Sequence, residues 1–326
     1  MKNLATKEGK AAAPSQLPPL SKRGGLHEIC RPGLILHLLF PDVRRRKGRT
    51  FERAEYAAQT GFYRAVEIAE VEDRDERAKL RRLVEENDLK LVYWLSFLQM
   101  ESVVSISSPE EEERRRAVGE LLRQLPHAAE CRAHTVAIVS GRDVGVARRG
   151  QALESLKRSV FELAEAARPY GLGRFEMETM DREVHKKHVL GPTAEALAFI
   201  HEVRQEVPGF YLAFDTAHIR LLGEDPAESL AQAAGVTGQI HLANCVDDPR
   251  KPGFGDHHIP PGPPGFLDRR EIRRLLDRGL AAGVLGPKRP IVSVEVAGDG
   301  GEGAFALERA TRAMMEDLSR EMGARP

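Results

Sequence analysis

The sequence predicts an α/β protein folded as a single-domain (β/α)8 TIM barrel, and three observations carry that prediction. Eight apolar, strand-like runs alternate with amphipathic helical segments from residue 33 to residue 322. Strict alternation of this kind implies a parallel sheet, and eight such units close most simply into a barrel, with a doubly wound open sheet as the alternative. No Pro/Gly/Ser-rich linker divides the series, so 26–326 reads as one domain. Finally, four of the later runs deliver a carboxylate or an imidazole near their ends, which is where barrel enzymes place their chemistry.

The elements follow in order. Residues 1–25 are rich in Lys, Ala, Pro, Ser and Gly without periodicity and read as a disordered tail. GLILHLLF (33–40) is the first strand, and the basic run Arg44–Arg45–Arg46–Lys47 is the loop after it. Thr50 as N-cap and Gly61 as C-cap bound the first helix. FYRAVEIAEV (62–71) and LKLVYWLSFL (89–98) are strands two and three, separated by the charged helix 73–89. Ser108 is read as the cap of a long helix that starts with Pro109 and four acids, with Pro126 kinking or splitting it. Strand four is 134–141 and helix 151–170 follows. Strand five holds Glu176 and Glu178. Helix 191–206, strand six (FYLAFD, 210–215), helix 225–234 and strand seven around Ile240–Leu242 come next. A Pro/Gly-rich stretch, 246–267, reads as a loop that closes over a substrate. Helix 268–283, strand eight (290–296) and helix 304–322 finish the chain.

Composition bounds the function. Hydrophobic residues make up 41%, enough for a sizeable core, and 49 basic residues balance 49 acidic ones. Balanced charge argues against nucleic acid or an anionic membrane as partner. No run of apolar residues is long enough to span a bilayer. Cys30, Cys131 and Cys245 are an odd number with no CxxC spacing, which fits a reducing cytoplasm better than a disulfide framework.

The candidate site is drawn from strand ends. Burying a carboxylate at the end of a core strand costs several kcal/mol unless a cation or hydrogen bonds compensate it. Glu178, Asp215, His241 and Glu295 occupy the ends of strands five to eight, which are neighbours in a barrel. Three carboxylates and one imidazole are a hard, mostly oxygen donor set, suited to Mn2+, Mg2+ or Co2+ with open positions. Taken singly, each could equally be a helix cap or a loop salt bridge. Glu176 shares a strand face with Glu178, but Glu178 is the better ligand because it stands at the strand end, with Glu176 a deeper salt-bridge partner.

The segments FEMETMDREVHKKHVLGP, FDTAH, IHLAN, GDHHIPPG and SVEV resemble the xylose-isomerase-like TIM-barrel superfamily. The closest resemblance within it is to the sugar phosphate isomerase/epimerase group that includes ketose 3-epimerases. The resemblance implies that Glu178, Asp215, His241 and Glu295 bind one divalent metal, Mn2+ foremost, with the two glutamates as the proton-transfer pair. It also matches the Asp-x-x-His and Asp-x-His motifs of that family to Asp215/His218 and Asp256/His258. The apurinic endonucleases of the superfamily add histidines on earlier strands. Here those strand ends read Trp94–Leu95–Ser96 and Ser140–Gly141–Arg142, so one metal and no DNA are expected. The implied activity is metal-dependent sugar isomerisation or epimerisation by proton abstraction next to a carbonyl, through an enediolate. A dehydratase or lyase on a keto-sugar, keto-inositol or keto-glycoside is the alternative, and a non-catalytic sugar-binding barrel is a third reading.

Around the quartet, His218, Asp181, Arg182, Asp256, His258 and Trp94 are candidates for contact with a sugar or polyol, and Lys186 is weighed beside Asp181 and Arg182. His218 serves either substrate or metal, and the Asp-x-His spacing favours His258 over His257. Trp94 could stack on a sugar or pack in the core, His37 reads as a core or barrel-lining residue, and GDGGEG (298–303) as an anion-binding or merely flexible turn. Homo-oligomers are common in the resembled group.

Overall fold

A computed structural model describes residues 25–101 and 105–323; the tail expected over 1–25 lies outside the described residues apart from Gly25. The strands are β1 (Arg31–Ile35), β2 (Ala65–Ile68), β3 (Lys90–Trp94), β4 (Thr135–Val139), β5 (Phe175–Glu178), β6 (Phe210–Asp215), β7 (Thr237–Val246), β8 (Gly255–Ile259) and β9 (Ile291–Glu295). They form one nine-stranded sheet in which β1 pairs with β9 and β6 with β7. β8 pairs antiparallel with the end of β7. The other eight strands are parallel neighbours and close into a barrel, so the fold is the expected (β/α)8 TIM barrel.

Alternation along the strands divides the residues between two environments. Outward residues such as Leu34, Val66, Leu91, Val136, Phe175 and Phe214 join helix residues such as Leu80, Leu156, Ile200 and Leu276 in the main core. Each such fully buried side chain contributes roughly 1.5–3 kcal/mol of burial. Inward residues Ala65, Val92, Trp94, Ala137, Ala213 and Ile291 pack inside the barrel. Small side chains at Gly33 and Gly238 are required there: a Cβ on Gly33 would lie 2.2 Å from Ser293 Oγ, and one on Gly238 2.4 Å from both Arg174 and Glu176.

The structure corrects several expected boundaries. The run 33–40 is not all strand: it leaves the sheet after Ile35 and makes the helical turn Leu36–Leu39, which carries His37. Apolarity alone does not distinguish a buried strand from a buried helical turn. The first long helix is capped by Gly48 in the left-handed region, not by Thr50. Helix Glu111–Leu122 begins after Glu110; Ser108 stands ahead of it, accepting from the Glu110 amide and donating to Glu113. A second helix, Leu125–Glu130, places Pro126 in its first turn, so the proline splits the segment. Within the expected loop 246–267, residues 255–259 form β8, which lies against β7 as a hairpin arm. The GDGGEG turn is closed by its own side chain: Asp299 accepts from the Gly301 and Ala304 amides and starts the last helix.

Candidate functional site

Four adjacent barrel strands build the site. Glu178 ends β5, Asp215 ends β6 and Glu295 ends β9, while His241 lies opposite Asp215 in the β6–β7 register. All four are buried, and one donor atom from each lies within 4.8 Å of the others. His241 Nδ1 is 2.9 Å from Glu295 Oε2 and 3.2 Å from Glu178 Oε1. Asp215 also begins the next helix, its Oδ1 accepting from the His218 amide.

The electrostatics of the quartet show an excess of buried negative charge. Burial pushes the Asp215 carboxyl well above the carboxylate range; His218 opposes this, while Glu295, Glu178 and Asp256 add to it. Burial acts on Glu295 in the same direction, but the neighbouring His241 and His258 imidazoles outweigh it and hold the group well below its ordinary value. His241 is raised well above its own, since Glu67 and Glu295 outweigh the cost of burying its charge. Glu295 Oε2 is buried with the His241 ring nitrogen at 2.9 Å beside it. Closely packed hard donors and surplus buried negative charge fit a divalent cation. The cluster can therefore hold one.

Beneath the quartet lies a residue the sequence reading missed. Glu67, from β2, is fully buried inside the barrel, and its Oε2 is 3.1 Å from His241 Nε2. Trp94 Nε1 and Gln239 Nε2 donate to the same oxygen at 2.7 and 2.5 Å, and Ser293 Oγ donates to Oε1 at 2.5 Å. Burial raises the Glu67 carboxyl, but His241, Ser293 and Trp94 more than reverse this, so it is held below its ordinary value. An anion gripping the far nitrogen of a ligand histidine fixes its ring orientation. The signal was present in the sequence as a glutamate inside the apolar run AVEIA.

The other candidates separate into those the fold brings to the site and those it does not. Glu176 sits deeper and pairs with Arg174 at 2.6 Å. Trp94 is buried, donates to Glu67 and lies 5.4 Å, centroid to centroid, from the His241 ring, so it forms the cavity wall beside the imidazole. His218 is sandwiched between Asp181 at 3.3 Å and Asp256 at 3.8 Å. Burial lowers its affinity for a proton, but Asp215, Asp181 and Asp256 raise it further, to about 10. Asp181 is fully buried and accepts from the Val184, His185 and Lys186 amides, which ties down the loop after β5. Arg182 points elsewhere: its guanidinium donates to the Val189 carbonyl and to Glu195. Asp256 and His258 arrive on β8. His258 Nδ1 is 3.4 Å from Asp256 and 3.2 Å from Glu295, with the residue in the left-handed region at φ 50°. His257 faces outward against His185. Over the quartet is a cavity walled by His37, Leu38, Ser96, Phe97, Met100, Met180 and Lys186. Burial lowers the His37 imidazole to about 4, despite Glu67 and Glu295. Among the described residues, no helix is long and apolar enough to cross a membrane.

Residues 54–308 match the model of the family described as xylose isomerase-like TIM barrels. No curated protein sequence matches the chain. Solved structures do. A D-psicose 3-epimerase from Clostridium cellulolyticum H10, solved with D-tagatose, has 18% identity and a TM-score of 0.64 over 90% of this chain and 99% of that one. A 3-keto-D-glucoside 4-epimerase from E. coli has 17% identity and a TM-score of 0.63, covering 89% and 98%. An IolI protein with a bound zinc atom has 16% identity and a TM-score of 0.67, covering 90% and 100%. At these identities the likeness is one of fold.

Proposed function

The chain belongs to the xylose isomerase-like TIM-barrel family, and on that premise we propose that it is a divalent-metal-dependent sugar isomerase or epimerase. One observation carries the reading: two glutamates from non-adjacent strands flank a single imidazole, within a donor cluster no wider than 4.8 Å. Glu178, Asp215, His241 and Glu295 would hold the ion, Mn2+ foremost given three carboxylates and one imidazole. When bound, the ion supplies Lewis acidity, which eases loss of a proton next to a carbonyl by several kcal/mol.

The protein's own groups supply the rest. Glu178 or Glu295 takes the proton from the carbon beside the carbonyl, and the other returns it. Return to the opposite face of that carbon epimerises it; return to the neighbouring carbon isomerises the sugar. Positioned acid–base help of this kind contributes on the order of 10²–10⁴ in rate. His218, positively charged between Asp181 and Asp256, faces the substrate's hydroxyls, with Asp256 and His258 alongside. Trp94 closes the floor. The β8 arm covers the site and excludes water. The named activities of the structural neighbours, two epimerases on ketoses and keto-glycosides, support a small sugar or polyol as substrate.

The test is deuterium uptake from solvent into carbon. Ketoses, keto-inositols and keto-glycosides are incubated with the Mn2+-supplemented protein in D2O. Exchange is expected in the wild type and lost in Glu178→Gln and Glu295→Gln with the circular dichroism unchanged. Full exchange in both variants would remove the glutamates from the mechanism. Release of water instead of exchange would identify a dehydratase using the same site.

A further inference from the structure

The geometry points to a phosphate-binding site on the face of the barrel opposite the quartet, in a cavity lined by Arg81, Lys90, Arg132 and His134. The ligand is a phosphate dianion, either free or as the end of a nucleoside monophosphate. It takes no part in the proposed reaction, and the site stands or falls apart from it.

Parallel strands place all their starts on one face, so basic residues at successive starts build a cationic floor. Lys90 opens β3, His134 precedes β4 and Arg174 precedes β5. Below them, between helix Arg74–Glu86, the turn after helix Leu125–Glu130 and the turn 170–172, lies a cavity of about 450 Å³. Among the described residues, no carboxylate lines it.

The cations outnumber the carboxylates that serve them. Arg81 Nε and Arg132 Nη1 share one oxygen of Glu85, at 3.2 and 3.3 Å. Among the described residues, the Lys90 ammonium and the His134 ring make no hydrogen bond or ion pair. The permanent cations Arg81, Lys90 and Arg132, less the Glu85 carboxylate, leave two positive charges. Nearby, Arg174 has Glu176 at 2.6 Å, and Asp88 opposes the repulsion that Arg31 feels from Arg289 and Arg174. The His134 imidazole registers the positive field: burial lowers it, and Arg174, Lys90 and Arg31 push it further, to about 4. Arg132 is held at the wall against its backbone preference. It lies in the left-handed region at φ 59°, just past the end of helix Leu125–Glu130, where glycine is the usual residue.

Two uncompensated charges suit a dianion better than a carboxylate, and a phosphate monoester carries close to two charges at neutral pH. A guanidinium fork and an ammonium are the side chains that grip its oxygens best. The cavity is far larger than one phosphate ion. The rest of its wall is apolar, from Val84, Leu89, Ala129, Ala133 and Leu172, with the Tyr170 ring beside them and 47% exposed. An open aromatic face next to an apolar wall takes a nucleobase by stacking, which favours the monoester over the free ion.

The test is titration calorimetry of the Mn2+-supplemented protein with adenosine monophosphate, inorganic phosphate and adenosine. The monophosphate is expected to bind, inorganic phosphate to compete with it, and adenosine not to compete. Replacing Lys90→Met and Arg132→Met together should weaken both phosphate ligands by about tenfold or more, the worth of one charge-assisted hydrogen bond, with the circular dichroism unchanged. Lys90→Arg alone should keep the wild-type affinity. Tyr170→Ala separates the two sources. A loss for the monophosphate alone identifies a nucleotide site, and equal binding of both ligands that ignores the substitution identifies a site for the free ion. Binding that survives the double substitution overturns the inference. So does binding that disappears in Asp215→Asn, which would put the anion on the metal of the quartet, and so does the absence of binding by either phosphate.

Discussion

Replacing Glu67 with glutamine tests whether the buried carboxylate under His241 sets the metal site. Three nitrogens, from Trp94, Gln239 and His241, converge on Oε2 within 3.1 Å, and Ser293 donates to Oε1. A glutamine presents one oxygen and one NH2 in their place. Were the amide nitrogen to take the Oε2 position, it would face the N–H groups of Trp94 and Gln239. The oxygen must therefore go there, and the Ser293 hydroxyl must turn to accept from the NH2. Hydrogen bonding then survives in number but loses its charge. Hydrogen bonds to charged groups contribute about 1.5–3 kcal/mol against about 1 for neutral ones, so a destabilisation of about 1–2 kcal/mol is expected by urea unfolding. The larger consequence is at the site. His241 loses the anion that orients its ring, and removal of such partners typically weakens metal binding by about 10–100-fold. Titration calorimetry with Mn2+ reads that loss directly. A Glu67→Gln protein that binds Mn2+ as tightly as the wild type, with unchanged stability, would refute the reasoning.

Other consequences follow from single residues. Glu308, fully buried in the last helix, accepts from Tyr56, Tyr63 and Arg312 at 2.5, 2.8 and 2.7 Å; Glu308→Ala leaves the buried Tyr63 hydroxyl without its acceptor, while Arg312 keeps Glu316, and should cost about 1–3 kcal/mol in urea unfolding, a cost that an unchanged stability would contradict. Gly238→Ala forces a Cβ against Arg174 and Glu176 inside the barrel and should lower stability by about 1–3 kcal/mol, measurable as a fall in the thermal midpoint. His134 is lowered to about 4 by burial and by Arg174, Lys90 and Arg31. The folded protein thus holds this histidine neutral where the unfolded chain would protonate it, so stability is fully present above the ordinary histidine value near 6.5 and is lost as pH falls from there towards 4. A His134→Gln protein should show a flatter profile in that window; an identical slope would exclude His134 as its source.

The parts of the molecule legible in the sequence are those set by periodicity and by strand ends. The barrel follows from alternation, and Glu178, Asp215 and Glu295 stand on strand ends that the closed sheet brings together, while His241, expected at an end, lies midway along the longer β7 in register with Asp215. What escaped depended on contacts between residues far apart in sequence. Glu67 lies well before the other members of its network, and only barrel closure makes it the neighbour of Gln239, His241 and Ser293. The β8 arm was hidden because its register with β7 is irregular and its sequence carries Gly, Asp and His in place of an apolar alternation. His37 is buried and lines the cavity as expected, but on a helical turn and not a strand, because a run apolar on all sides satisfies both alike. Arg182 stood in a loop rich in charge, and nothing local distinguishes a guanidinium turned towards a cavity from one turned to Glu195.

Metal content per chain is the most direct test of the central claim. Protein stripped with a chelator, titrated with Mn2+ and assayed by elemental analysis should take up one equivalent in the wild type. Asp215→Asn should bind far less while its circular dichroism shows the same barrel. Failure of the wild type to retain any divalent ion, or retention of two or more per chain, would contradict a single ion held by Glu178, Asp215, His241 and Glu295.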